Sequence, residues 1–345
     1  MRILLTVDPE IPVPPTHYGG IERIVDMLIH GLIEKGVQVT LIANPNSNVS
    51  CELIPWRGSS SRGTVNNIQN TYLLTKSYFR KYDLIHSFSR LLYLTPILPF
   101  SIPKIMSYQR EPSLYQIKKS ILISKKGSLF FTGCSDYITN KIKTVAPATT
   151  IYNGVDIARF KFSDRVSSNA PLVFLGRIEY IKGVHVAIDI ALKTGRKLII
   201  AGNIPPEEKH QSYFNAEVKP YLGEQIQYVG PVNDSEKNDI LRNAYAFLMP
   251  ILWNEPFGIV MIEALACGTP VIGFNRGAVP EIVQNGINGF VCNDIYEAYE
   301  AVMRVPDVSR ADCRKIAEHR FSQSVIVKNY MTLYEKHINK NLNYD

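Results

Sequence analysis

Pro171-Leu172-Val173-Phe174-Leu175-Gly176-Arg177-Ile178-Glu179-Tyr180-Ile181-Lys182-Gly183 opens the second half of a 345-residue chain. Its aliphatic run, 172–175, reads as a buried strand. The run breaks at Gly176 into a loop carrying two cations, and Lys182 opens the next helix. The chain itself begins in the same way. Residues 3–7 form an apolar strand, followed by a Pro-rich loop, Tyr18-Gly19-Gly20-Ile21-Glu22, and a helical stretch over 21–35. Ile21, Ile24, Val25, Leu28 and Leu32 share one face of that helix, and Gly36 ends it. Two such starts in one chain predict two domains.

Working outward, further strands are expected at 37–43, 84–86, 104–107 and 129–133, with helices near 64–82, 113–126 and 135–144. In the second half strands are expected at 198–201, 226–229, 246–249, 271–273 and 289–291. Strands separated by helices imply βαβ units and mostly parallel sheets. The expected fold is therefore α/β, with two doubly wound Rossmann-like domains and a cleft between them. The polar stretch 161–170 marks the boundary.

Length and composition agree. A single core stops growing near about 250–300 residues, so 345 residues call for two. Hydrophobic residues are 46% and charged residues 20%, which excludes a disordered chain. The longest apolar stretch, 91–100, is broken by Pro96 and Pro99 and falls short of the ~20 residues a membrane span needs. The short apolar run at the N-terminus reads as a strand and not as a signal peptide. Five cysteines, at 51, 134, 267, 292 and 313, include no CxxC pair; they point to a reducing cytoplasm and away from a disulfide framework or a zinc site. Residues 1–160 hold 18 Lys+Arg against 10 Asp+Glu, whereas 161–345 hold 20 against 21. All the excess positive charge lies in the first half, as either a solvated basic face or a surface attracted to anions.

Several nucleotide signatures are absent. No G-x-G-x-x-G follows the first strand, no GxxxxGK[ST] occurs, and no Asp-x-Asp pair exists to clamp a metal diphosphate. Three segments carry chemistry instead. Gly19 and Gly20 stand at a strand-to-helix junction, where free N–H groups suit a phosphate; the alternative is a tight turn with Glu22 as dipole partner. Arg177 and Lys182 can neutralise a diphosphate without metal, the first as a fork and the second as a point charge, unless both are simply solvated. The third segment is Trp253-Asn254-Glu255-Pro256-Phe257-Gly258-Ile259-Val260-Met261-Ile262-Glu263-Ala264. Pro256 suits a first helical position, which would leave Glu255 at the helix start, as ligand or cap, and Glu263 about two turns inside. A carboxylate in that apolar run is costly unless hydrogen-bonded, by sugar hydroxyls or by neighbouring backbone. The amides of Phe257, Gly258 and Ile259 add donors.

These pieces, in this order, resemble family 4 retaining glycosyltransferases of the GT-B architecture. The E-x7-E pattern is Glu255 to Glu263. Ala266-Cys267-Gly268-Thr269-Pro270-Val271-Ile272, Gly277-Ala278-Val279-Pro280-Glu281-Ile282-Val283, Asn285-Gly286-Ile287-Asn288-Gly289-Phe290 and Tyr152-Asn153-Gly154-Val155-Asp156 with Phe160 continue the similarity. The resemblance implies residues 1–163 as an acceptor-side domain and 164–320 as a donor domain. It also implies a last helix near 321–340 returning to the first domain. It implies that Arg177 and Lys182 hold the donor diphosphate and that Gly19 and Gly20 border it. Glu263 would take the ribose hydroxyls, and Glu255, with the amides of Phe257 and Gly258, the transferred sugar. The sequence departs from the family on the acceptor side. Asp83-Leu84-Ile85-His86-Ser87-Phe88 ends in Phe88 where a second His is usual, and Gln109 stands where a His often lies near the reacting sugar. Gln109 can hydrogen-bond a sugar but cannot take a proton at neutral pH, and His86 reads as a strand-end or core histidine or an acceptor-side group.

The implied activity is transfer of a hexose or N-acetylhexosamine from a nucleotide diphosphate sugar, UDP before GDP, to a glycan or lipid-linked envelope acceptor. No cofactor and no metal are expected, and the leaving diphosphate would help deprotonate the acceptor. Lys118-Lys119 and Lys125-Lys126 bracket SILIS at 120–124, a basic amphipathic stretch expected on an anionic inner membrane face. Competing readings are a nucleotide-sugar epimerase of the same fold, an inactive nucleotide- or sugar-binding protein, and a nucleic-acid binder. The last lacks any aromatic–basic interleaving.

Overall fold

The computed structural model describes residues 1–15 and 19–342, and the side chains up to residue 339. Tyr18 of the glycine segment therefore lies outside the described residues. The chain forms two units. Unit 1 comprises Met1–Asn153 and Gln323–Asp345, and unit 2 comprises Gly154–Ser322.

Unit 1 is built on seven parallel strands: β1 (Arg2–Thr6), β2 (Gln38–Ala43), β3 (Glu52–Pro55), β4 (Leu84–Ser87), β5 (Lys104–Tyr108), β6 (Leu129–Gly133) and β7 (Ala148–Thr150), in the order β3-β2-β1-β4-β5-β6-β7. Strands covered on both faces need continuous apolar runs, and Ile3, Leu4 and Leu5 of β1 are fully buried. The edge strands β3 and β7 escape a reading from sequence. Each is short and half solvated, so neither needs an apolar run.

Unit 2 repeats the plan with β8 (Leu172–Leu175), β9 (Leu198–Ala201), β10 (Ile226–Gly230), β11 (Ala246–Met249), β12 (Val271–Phe274) and β13 (Gly289–Cys292), in the order β10-β9-β8-β11-β12-β13, again all parallel. In both sheets the order reverses beside the first strand, between β1 and β4 and between β8 and β11. The carboxyl ends of those strands are where doubly wound sheets take ligands.

The division falls at Asn153/Gly154 and not in the polar stretch 161–170. Residues 154–163 already pair within unit 2. The Val155 amide donates to the Phe321 carbonyl at 2.8 Å, and the Ser163 amide to the Cys267 carbonyl at 3.2 Å. The last helix, Gln323–Leu342, belongs to unit 1 and lies along the helix Gly20–Glu34. Gly31 makes their approach possible, because a Cβ there would run into the Val327 side chain. Gln323 Nε2 closes the contact by donating to the Met27 carbonyl at 3.1 Å.

Candidate functional site

In unit 2 the loops that follow β8 and β11 are locked together through backbone. The Leu252 amide donates to the Ile181 carbonyl at 2.8 Å. Gly183 has φ +74, and a Cβ on it would strike the Pro250 carbonyl. Only glycine fits so close an approach in that conformation. The consequence lies one residue away. Lys182 Nζ sits 2.6 Å from Glu255 Oε2 and 4.8 Å from the centre of the Trp253 ring, and Trp253 Nε1 donates to the same Glu255 oxygen at 3.0 Å. Both partners are mostly enclosed, with side chains 17% and 12% exposed.

Glu255 is also held from behind. Gly277, at φ +59, packs so tightly that a Cβ would overlap the Glu255 backbone, and the Ala278 amide donates to the Glu255 carbonyl at 2.9 Å. Arg177 stands at the end of β8 and is steadied by the buried Glu179, with Nη1 to Oε1 2.8 Å. Three sequence-predicted residues, Arg177, Lys182 and Glu255, thus lie on the loops beyond the switch point of one sheet.

The third segment needs a correction. Pro256 is not a first helical residue. The helix is Ile259–Ala266, preceded by Gly258 in a left-handed conformation at φ 80. Glu263 is therefore its fifth residue, little more than one turn in, and Glu255 lies on the preceding loop and caps nothing. Phe257 is buried, its ring 6.0 Å from that of Phe321, so its backbone is the part available for a ligand. Glu263 is buried as expected, but its charge is met from within the protein, by Lys237 Nζ at 2.6 Å from Oε1. Lys237 and Glu179 are the two residues the sequence did not single out. Lys237 belongs to the helix Asp234–Arg242, which a capping box of Asn233 and Glu236 starts. A lysine there reads as solvated. One signal was available: Lys237 shares a face with the buried Leu241 four residues on.

In unit 1 the expected groups fall into two classes. His86 is a core histidine and not an acceptor-side group. It is fully buried, with Nδ1 2.6 Å from Tyr334 Oη and Nε2 2.6 Å from Ser107 Oγ. Burial drives its pKa down to about 3. Gln109 is half-buried, accepts a hydrogen bond from Asn153 Nδ2 at 2.7 Å, and lines an open pocket at the carboxyl end of the sheet. Gly19 and Gly20 start the helix Gly20–Glu34, but their neighbourhood is acidic. Glu22 lies in the first turn close to Gly19, and burial raises its pKa to about 7, with Asp8 and Glu10 adding to the rise and Arg110 opposing it. That helix start is a poorer phosphate site than the glycines alone imply, because carboxylates repel an anion.

Among the described residues no helix is long and apolar enough to cross a membrane.

Comparison with known proteins agrees with this geometry. Residues 158–319 match the family model described as glycosyl transferases group 1. The chain is 34% identical over 181 residues to a glycogen synthase of Mycobacterium tuberculosis (strain CDC 1551 / Oshkosh), a match covering 50% of this chain and 42% of that protein. The chain thus spans under half the length of that relative. Among solved structures it superposes on AviGT4, a glycosyltransferase involved in avilamycin A biosynthesis, with a TM-score of 0.77, 25% identity and 98% of each chain covered. It also superposes on HepE of Anabaena in complex with UDP and glucose, with a TM-score of 0.75, 18% identity, and 97% of this chain and 100% of that one covered.

Proposed function

We propose that the chain, which has the GT-B fold and matches the glycosyl transferases group 1 model over residues 158–319, is a retaining glycosyltransferase using a nucleotide diphosphate sugar. The observation that carries the reading is the Lys182–Glu255 pair, with Arg177 on the same loop after β8 as Lys182, at the switch point of the unit 2 sheet. A departing diphosphate gathers negative charge, and preorganised cations stabilise that charge most where water is largely excluded. Lys182 and Arg177 are those cations. As the anion takes Lys182, Glu255 keeps Trp253 as partner and turns its remaining acceptor capacity to sugar hydroxyls. Glu263 takes the ribose hydroxyls, and the amides near Phe257–Ile259 offer donors.

With His86 sealed in the core and Gln109 unable to accept a proton, the acceptor hydroxyl passes its proton to the leaving phosphate oxygen on the same face of the sugar. A glycosyl adduct trapped on Glu255 and seen by mass spectrometry would overturn this step. UDP is the first nucleotide to test, because the HepE structure holds UDP and glucose. Two cations at the diphosphate make the transfer metal-independent in this reading, so activity should survive EDTA. The acceptor is a glycan or a lipid-linked envelope saccharide, taken on unit 1 at an anionic inner membrane face.

Thermal shift against UDP, GDP, ADP, CMP and dTDP in EDTA tests the donor site. A ligand at ~100 times its Kd stabilises by about 2.7 kcal/mol, which is several degrees. Lys182→Ala should abolish the shift. Glu263→Gln is the milder companion, since glutamine keeps a hydrogen-bond acceptor for Lys237 where alanine leaves none. No shift with any nucleotide, or an undiminished shift in both variants, sinks the reading.

A further inference from the structure

Unit 1 contains an open pocket of ≈ 470 Å³ on the carboxyl side of β4 and β5. That volume lies within the ~300–1,000 Å³ of small-molecule sites. Its wall is largely apolar, from Leu91, Leu92, Leu98, Met106 and Ile123. Three cations, Arg90, Arg110 and Lys119, also line it, against one carboxylate, Glu111, which is paired with Lys141. Arg110 is tied to Asp8, whereas Arg90 and Lys119 form no ion pair among the described residues; Lys119 instead lies 4.4 Å over the Tyr115 ring. Tyr108 lines the same pocket, and its buried hydroxyl has no hydrogen-bond partner among the described residues.

Each feature narrows the occupant. An apolar wall is wasted on a bare sugar. Two uncommitted cations specify an anion. A buried hydroxyl without a partner costs free energy until a polar atom reaches it. The pocket is also continuous with an exposed surface. Lys119 and Ile123 belong to the helix Leu114–Ile123, which shows solvent Leu122 at 84% and Tyr115 at 65% exposure and is flanked by Lys125 and Lys126. A helix presenting apolar groups among lysines suits an anionic bilayer.

We propose that this pocket holds the lipid phosphate end of a membrane-borne acceptor, with the phosphate between Arg90 and Lys119 and the hydrocarbon along Leu92 and Ile123. The proposal rests on reading unit 1 as the acceptor side of a glycosyltransferase, and it names the acceptor class as a lipid phosphate. Tyr108 donates to a phosphate oxygen, which satisfies its buried hydroxyl.

The experiment is calorimetric titration of the full chain with farnesyl phosphate, farnesol and inorganic phosphate, alongside the UDP thermal shift. Farnesyl phosphate should bind about tenfold or more tightly than either of the others, because it alone uses both halves of the pocket. Arg90→Ala and Leu92→Glu should each weaken it by about tenfold. Leu92 is 47% exposed, so the fold tolerates the change, and an unaltered melting temperature verifies this. Farnesol or inorganic phosphate binding as well as farnesyl phosphate overturns the proposal, as does wild-type affinity in both variants. A UDP shift without farnesyl phosphate binding removes the pocket assignment alone. Farnesyl phosphate binding without any nucleotide shift keeps the lipid site and removes the transferase reading.

Discussion

Glu263 shows how much a single residue reveals. A carboxylate in an apolar helix is an anomaly that sequence exposes at once, because the burial cost must be met somewhere. What the sequence withheld was the partner, since Lys237 lies 26 positions away on a helix that looks solvated. The pair predicts a sharp asymmetry. Lys237→Met alone should destabilise by about 3–5 kcal/mol, by stranding a buried charge, whereas Lys237→Met with Glu263→Leu should recover most of that loss. Chemical denaturation of the two variants decides it, and equal losses would show that the pair is not what satisfies Glu263. Gly277 was legible only as part of a familiar run; its task, holding the Glu255 backbone, needed coordinates. Gly277→Ala should therefore displace the Glu255 loop and lower both kcat and the melting temperature, and unchanged values of both would remove this role. Glu22 carries a pH signature. Its folded pKa of about 7 lies above the ordinary 4.5, so the fold favours the protonated acid. Its contribution to stability is complete below pH 4.5 and is lost as pH rises through about 7. Glu22→Gln should gain on the wild type in urea midpoint above that range and match it below. A constant difference across pH would place the titration elsewhere.

At the level of elements, the strands that bury both faces were readable, because the buried stretches of β1, β8 and β11 are nearly continuous apolar runs. The edge strands β3 and β7 were not, because half-solvated backbone imposes no pattern. Helix starts at 20, 64, 114 and 136 fell within a residue of expectation, and one start was misread. Proline at position 256 suggested an early start, but Gly258 adopts a left-handed conformation and the helix begins at Ile259, three residues after the proline. The pocket beyond β4 and β5 was invisible too: its lining falls between residues 88 and 123, but it is shared among the segments after two strands and one helix, and no single run carries it. The helix Leu114–Ile123 was visible as basic and amphipathic, and the structure exposes its apolar residues. It should carry the chain to vesicles containing anionic lipid and not to neutral ones. In flotation, Leu122→Glu or loss of Lys118 and Lys119 should reduce the bound fraction severalfold. Equal recovery on both vesicle types would remove the membrane role.

For the whole molecule, the charge asymmetry sharpens once the units are known. Unit 1 holds 20 Lys+Arg against 11 Asp+Glu, and unit 2 holds 18 against 20. The cationic excess belongs entirely to the unit with the pocket beyond β4 and β5. Association with anionic vesicles should accordingly fall steeply as salt is raised, whereas nucleotide binding, which relies on enclosed groups, should change little. The boundary was misplaced in sequence by about ten residues, because the chain enters unit 2 as an extended segment whose partners, Phe321 and Cys267, lie far downstream. Those partners carry a wider consequence. Val155 pairs with Ser322, so unit 2 leaves the fold beside the point where it enters. It is an insertion with adjoining ends, and such a cassette can be exchanged between chains at two junctions that lie side by side, without rethreading either sheet. Exchange of residues 154–322 for the matching segment of another chain should therefore leave the unit 1 sheet and the helix Gln323–Leu342 in place.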